Sequence, residues 1–147
     1  MNKDKSRNLI ISILQVQSTF RTVAQRAFAK LNKDITFEMM QVLVELWKQD
    51  GINQQIIAQR IFKDKSSLSY LISNLEKRKL VYRKEDETDR RNKLVYLTED
   101  GSDLRHEFRP VLDDIYSQMS LELDSSSTDN IISGMNDLNR IISKIKV

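Results

Sequence analysis

Between Leu80 and Leu97 the apolar spacing of this 147-residue chain changes from about 3.6 residues to about 2, whereas on both sides of that stretch it is helical. Leu80 to Glu85 and Lys93 to Leu97, rich in Val, Leu and Tyr, are predicted to be two short strands. The polar segment that joins them contains no glycine, which favours a hairpin with a mobile tip over a tight two-residue turn. A helical chain interrupted once, by one hairpin, has few architectures open to it.

The flanking helices can be placed from their stripes and caps. Residues 9 to 31 repeat apolar positions at the spacing of one helix face. Thr36 is placed to cap a second helix, with Phe37, Met40, Val44 and Trp47 along one side and Gly51 as its stop. Asn53 caps a short third helix whose buried stripe is Ile56, Ile57, Ile61 and Phe62, with Ala58 allowing close packing. Asp64 or Ser66 caps a fourth, running to about Lys79, in which Leu68, Leu71, Ile72 and Leu75 face inward. Beyond the hairpin, Thr98 with Glu99 and Asp100 opens a long helix with a kink expected at Pro110. Asp124 and the serines after it open a last helix with a clean apolar stripe. The order is mainly α with a small β-hairpin wing, which is a winged helix-turn-helix.

Only three glycines and one proline occur in the chain, as suits long helices, and its length fits one domain. Cysteine is absent, so disulfides, thiolate metal sites and thiol redox sensing are excluded, and a reducing cytoplasm is the expected location. The N-terminal residues lack a signal-peptide layout, and no apolar run approaches the ~20 residues of a membrane span. The basic excess is local: Lys63 to Lys93 hold ten Lys or Arg against six Asp or Glu, more than the chain's whole net charge of +3. Such a patch serves an anionic partner or is a solvated charged face.

The fourth helix separates these readings. Its open side carries Lys65, Ser66, Ser67, Ser69, Tyr70, Ser73 and Asn74, preceded by Lys63, where a solvated helix would more commonly carry Glu, Lys and Gln. Short hydroxyl side chains permit close approach to base edges and phosphates, Lys reaches phosphate or guanine, and Asn can pair with adenine. The preceding helix braces this one against a major groove ~12 Å wide. In the wing, Arg91 suits a narrow minor groove of strong negative potential, and Asp89 is placed to hold its guanidinium in one geometry.

The run KDKSSLSYLISNLEKRKLVYRKEDETDRRNKLVYLTEDG, Lys63 to Gly101, closely resembles the MarR family of bacterial transcription regulators, above all in DRR at Asp89 to Arg91 and LTEDG at Leu97 to Gly101. The resemblance implies a homodimer in which residues of about 1–35 and 103–147 interlock, above a DNA-binding lobe of about 36–102. The terminal stripes fit that arrangement, through Leu9, Ile10, Ile13, Ile131, Met135, Leu138, Ile142 and Ile145. It further implies that the fourth helix reads the major groove of double-stranded DNA, that Arg91 enters the minor groove with Asp89 as its brace, and that Arg90 and Arg83 contact phosphates. Relatives often bind small aromatic ligands between dimerisation helices and lobe; Phe20, Phe37, Met40, Trp47, Phe108 and Tyr116 could line such a site or simply pack the core. The sequence departs from the family at Phe62 and Lys79, where relatives often have glycine or, in the turn, a small residue.

The expected function is that of a sequence-specific regulator, a homodimeric repressor on a pseudo-palindromic operator, with small-molecule release as one form of control. A winged helix used for protein contact and a ligand-insensitive regulator are the alternatives. An enzyme is not expected: His106 is the single histidine, and no glycine-rich phosphate loop or cofactor motif is present, so no cofactor or metal is expected.

Overall fold

The computed structural model describes residues 2–147, which form α1 (Lys3–Ala29), α2 (Phe37–Lys48), β1 (Ile52–Asn53), α3 (Gln54–Arg60), α4 (Lys65–Lys77), β2 (Val81–Glu85), β3 (Lys93–Leu97), α5 (Glu99–Glu122) and α6 (Ser125–Ile142). The chain divides into two compact units, Met1–Val111 and Leu112–Val147. The expected caps are in place. Thr36, Asn53, Asp64 and Asp124 each accept a hydrogen bond from a backbone N–H of the helix that follows, satisfying a donor that has no partner within the first turn.

The first unit is built around an apolar core in which Phe28, Leu43, Leu46, Ile57, Leu68, Ile72, Leu75, Val95 and Phe108 are fully or almost fully buried. Phe28 of α1 meets Phe108 of α5 with ring centroids 5.3 Å apart. The buried side of α2 is Met39, Met40, Val42, Leu43 and Leu46, so the expected Phe37–Met40–Val44–Trp47 stripe is only partly right. Phe37 instead makes an edge contact with Phe20 of α1, and the Trp47 indole donates to the carbonyl of Gly101, 2.9 Å away. Of the six residues considered for a ligand site, Met40 and Phe108 are thus fixed in close packing, at 2% and 0% exposure.

The stripe expected for α3 also needs correction. Ile57, Ala58 and Ile61 are buried, but Ile56 is exposed and Phe62 is 92% exposed. Phe62 lies past the end of the helix with φ +57°, a left-handed conformation that turns its side chain outward.

The hairpin belongs to a three-stranded antiparallel sheet of order β1-β3-β2, in which Ile52 pairs with Val95 and Arg83 pairs with the opposite side of Val95. β1 is two residues long, too short to leave a period in the sequence. Asp50 fixes this added strand by accepting from the N–H groups of both Gly51 and Leu97. Gly51, at φ +66°, is held to glycine, because a Cβ there would lie 2.5 Å from the Tyr96 ring.

α5 runs on through Pro110, its first half belonging to the first unit and the remainder to the second. In α6 no residue is buried, and Ile131, Ile132, Met135, Ile141 and Ile142 are among its exposed apolar side chains. No helix is long and apolar enough to cross a membrane among the described residues.

Candidate nucleic-acid interface

The N-terminus of α4 is set by Asp64. Its carboxylate accepts from the Ser67 backbone N–H at 2.8 Å and from the Ser67 hydroxyl at 2.7 Å, and these two bonds hold it below the ordinary carboxylate range. Burial of Leu68, Leu71, Ile72 and Leu75 then fixes the rotation of the helix. Lys65, Ser66, Ser67 and Tyr70 are left on the open side, Tyr70 at 70% exposure, with Lys63 half-buried just before them. Asn74 is half-buried, its amide donating to the Tyr70 carbonyl one turn back.

Ser69 points elsewhere, and the reason is Arg83. From β2 its guanidinium reaches across to α3 and α4: Nε donates to Gln54 at 3.1 Å, Nη1 to the Glu76 carboxylate and to Ser73, and Nη2 to the Ser69 carbonyl at 2.8 Å and to the Ser69 and Ser73 hydroxyls. Glu76 also accepts from the Arg83 backbone N–H at 3.0 Å. Every N–H of the fork has a partner in the protein. This corrects the expected role of Arg83 as a phosphate contact: it is a staple that sets the wing against α4, and it takes Ser69 with it. Ser73 was expected only as part of the open side of α4, and Gln54 and Glu76 were given no role, although Ser69, Ser73 and Glu76 recur at i, i+4 and i+7 and so share one face of α4.

The wing tip is longer than a two-residue turn, as expected, and carries its own hydrogen bonds. Asp86 accepts from the Thr88 hydroxyl at 2.7 Å and its N–H at 2.9 Å, which lowers its pKa, hydroxyl first. The Asp86 N–H bonds the Asn92 carbonyl, and the Asn92 N–H bonds the Asp89 carbonyl. The Asp89 side chain accepts from the backbone N–H of Arg91 at 3.0 Å, so it braces the turn at the main chain and not, as expected, at the guanidinium. Arg90 and Arg91 are both exposed.

α3 and α4 end alike. Lys63 N–H bonds the Ala58 carbonyl and Phe62 N–H that of Gln59; Leu80 N–H bonds the Leu75 carbonyl and Lys79 N–H that of Glu76. These are Schellman closures, with Phe62 and Lys79 at the left-handed position, φ +57° and +58°. The departures from glycine at those places leave the cap geometry intact.

A MarR family profile matches residues 35–93. The HTH-type transcriptional regulator SarZ of Staphylococcus haemolyticus is 27% identical over 110 residues, 75% of this chain and 71% of that protein. The crystal structure of the S. aureus MepR–DNA complex superposes with a TM-score of 0.81 at 25% identity, covering 90% of this chain and 96% of that one. Residues 35–93 thus carry a MarR-family domain. The regulator BldR from Sulfolobus solfataricus, at 23% identity and a TM-score of 0.77, shares the fold over 99% of this chain.

The LTEDG run bolts the wing to α5. Thr98 donates its hydroxyl to the Lys79 carbonyl at 2.7 Å and its N–H to that of Leu80 at 3.0 Å, while its oxygen caps Gly101. Gly101 allows the contact, because a Cβ there would lie 1.9 Å from the Leu80 carbonyl oxygen. The end of α4 is further pinned by Arg78, which donates to the carbonyl and carboxylate of Asp34. No group of three or more His, Cys, Asp and Glu side chains able to hold a metal ion occurs among the described residues.

Proposed function

We propose that this DNA-binding transcription regulator works as a homodimeric repressor, in the cytoplasm, on a pseudo-palindromic operator, and that its activity is binding and not catalysis. The observation that carries the reading is the rigid pairing, through Arg83, of an exposed Lys65–Tyr70 helix start with a basic wing. Two such lobes, presented by a dimer, would read half-sites about one helical turn apart. The Lys65, Ser66, Ser67 and Tyr70 surface would face the major groove, Arg90 a phosphate, and Arg91 the minor groove. Exposed apolar positions on α1 and α6, among them Leu9, Ile10, Ile131, Met135 and Ile142, support the dimer, because contiguous apolar stripes of this kind mark association surfaces.

The test is to select bound sequences from a random DNA pool and titrate the best against salt. Affinity should fall by about three decades or more between 50 and 200 mM salt if several phosphates are neutralised. Arg91→Ala should weaken operator binding about tenfold with an unchanged melting curve, since the side chain is exposed. A module used only for protein contact would bind the selected DNA weakly and without salt dependence.

A further inference from the structure

Between α3, the start of α4 and the root of the wing lies a cavity of about 180 Å³ whose polar lining includes Asn53, Gln54, Gln55, Lys65, Arg91 and Lys93. Its lining contains no carboxylate. Lys65, Arg91 and Lys93 form no ion pair among the described residues, so three uncompensated cations from the recognition helix and the wing converge on one space. The amides add to this. The Asn53 side-chain oxygen is taken by the Gln55 N–H at 2.7 Å, and the Gln54 oxygen by Arg83 at 3.1 Å. Each therefore has its NH₂ end left to offer. Three cations and two spare amide donors, with no acidic side chain, complement a group that only accepts: an oxyanion with several oxygens.

We infer that this cavity is a phosphate site shared by the recognition helix and the wing, and that its occupant is one phosphodiester of the operator backbone, gripped by Lys65 from one side and Lys93 from the other. The assignment rests on the DNA-binding reading and makes it more specific. Lys65 stands in the first turn of α4 and Lys93 opens β3, two elements whose relative placement the Arg83 staple fixes. Arg91 lies in the wing turn between the strands, and is free to leave for the groove while the lysines hold the backbone. A free phosphate monoester has the same oxygens and is the other source of such a ligand.

The experiment uses the full chain and its selected operator. Lys65→Gln and Lys93→Gln should each weaken operator and non-specific DNA by a similar factor, and each should lower the salt slope by about one. Ethylation interference on the wild-type complex should identify a phosphate whose modification blocks binding, and the same phosphate should lose its effect in both variants. Lys93→Arg should restore most of the slope. If the two variants silence different phosphates, or leave the slope unchanged while wild-type protein binds normally, the shared site is overturned and the DNA-binding reading stands. If inorganic phosphate at constant ionic strength binds wild type but neither variant, and no ethylation pattern changes, the occupant is a free anion and the backbone assignment is overturned. Wild-type protein that fails to bind any selected DNA would instead strike the DNA-binding reading itself.

Discussion

Phe62 and Lys79 hold the left-handed conformation that closes α3 and α4, and neither side chain is stabilised in return: both are exposed, Phe62 almost completely. A side chain in that region costs roughly 1–2 kcal/mol relative to the right-handed one, of which glycine's larger unfolded-state entropy offsets about 0.5–1 kcal/mol. Phe62→Gly and Lys79→Gly are therefore each expected to stabilise the fold by about 0.5–1 kcal/mol. The check is the urea midpoint at fixed protein concentration with an unchanged slope, and a lower midpoint would show that the side chain packs on something. Gly101 shows the opposite case, where the neighbour is a backbone carbonyl that cannot move aside.

Among the elements, α4 matters most, and its start depends on a titratable cap. Asp64 has its pKa lowered by the Ser67 N–H and hydroxyl bonds. The folded value therefore lies below the unfolded value near 4. Its contribution is fully present above the unfolded value and is lost as pH falls through the folded one. Asp64→Asn keeps an acceptor but cannot titrate, so wild type should be the more stable at pH 6, and the difference should be smaller at pH 3. Denaturant midpoints measured at both pH values decide this, and a gap independent of pH would remove the carboxylate charge from the cap. Asp64 was legible in the sequence because a cap is a local signal, as were Thr36, Asn53 and Asp124. The inward stripe of α4 and the hairpin were legible because periodicity extends over many residues. What was not legible depends on distance in the chain. Arg83 and Ser69 are 14 residues apart and Arg83 and Gln54 are 29 apart, so a cation that reads as a phosphate contact is in fact committed inside the lobe. β1 and the outward turn of Phe62 were missed for a related reason, since a two-residue strand and a single positive φ leave no pattern.

At the scale of the whole molecule the unsatisfied feature is α6, which buries none of its residues. Ile131, Met135, Leu138 and Ile142 follow one another at steps of four, three and four, the spacing of a helix–helix seam, and Met135 lies mid-helix at 40% exposure. In the proposed homodimer this seam meets the second subunit. A carboxylate placed there would be desolvated without a partner, at about 3 kcal/mol or more for each copy. With two copies in the interface, Met135→Glu should therefore raise the dimer dissociation constant by about four decades. Ser133, two residues earlier, projects about 160° away round the helix, so Ser133→Glu adds the same charge to the opposite side and should leave association unchanged. Sedimentation equilibrium on the two variants separates an interface effect from a general effect of charge. Loss of the dimer should also abolish tight operator binding, because one lobe must then hold a single half-site without the effective concentration that the second lobe supplies. A Met135→Glu chain that stays dimeric and binds its operator normally would move the subunit interface away from α6.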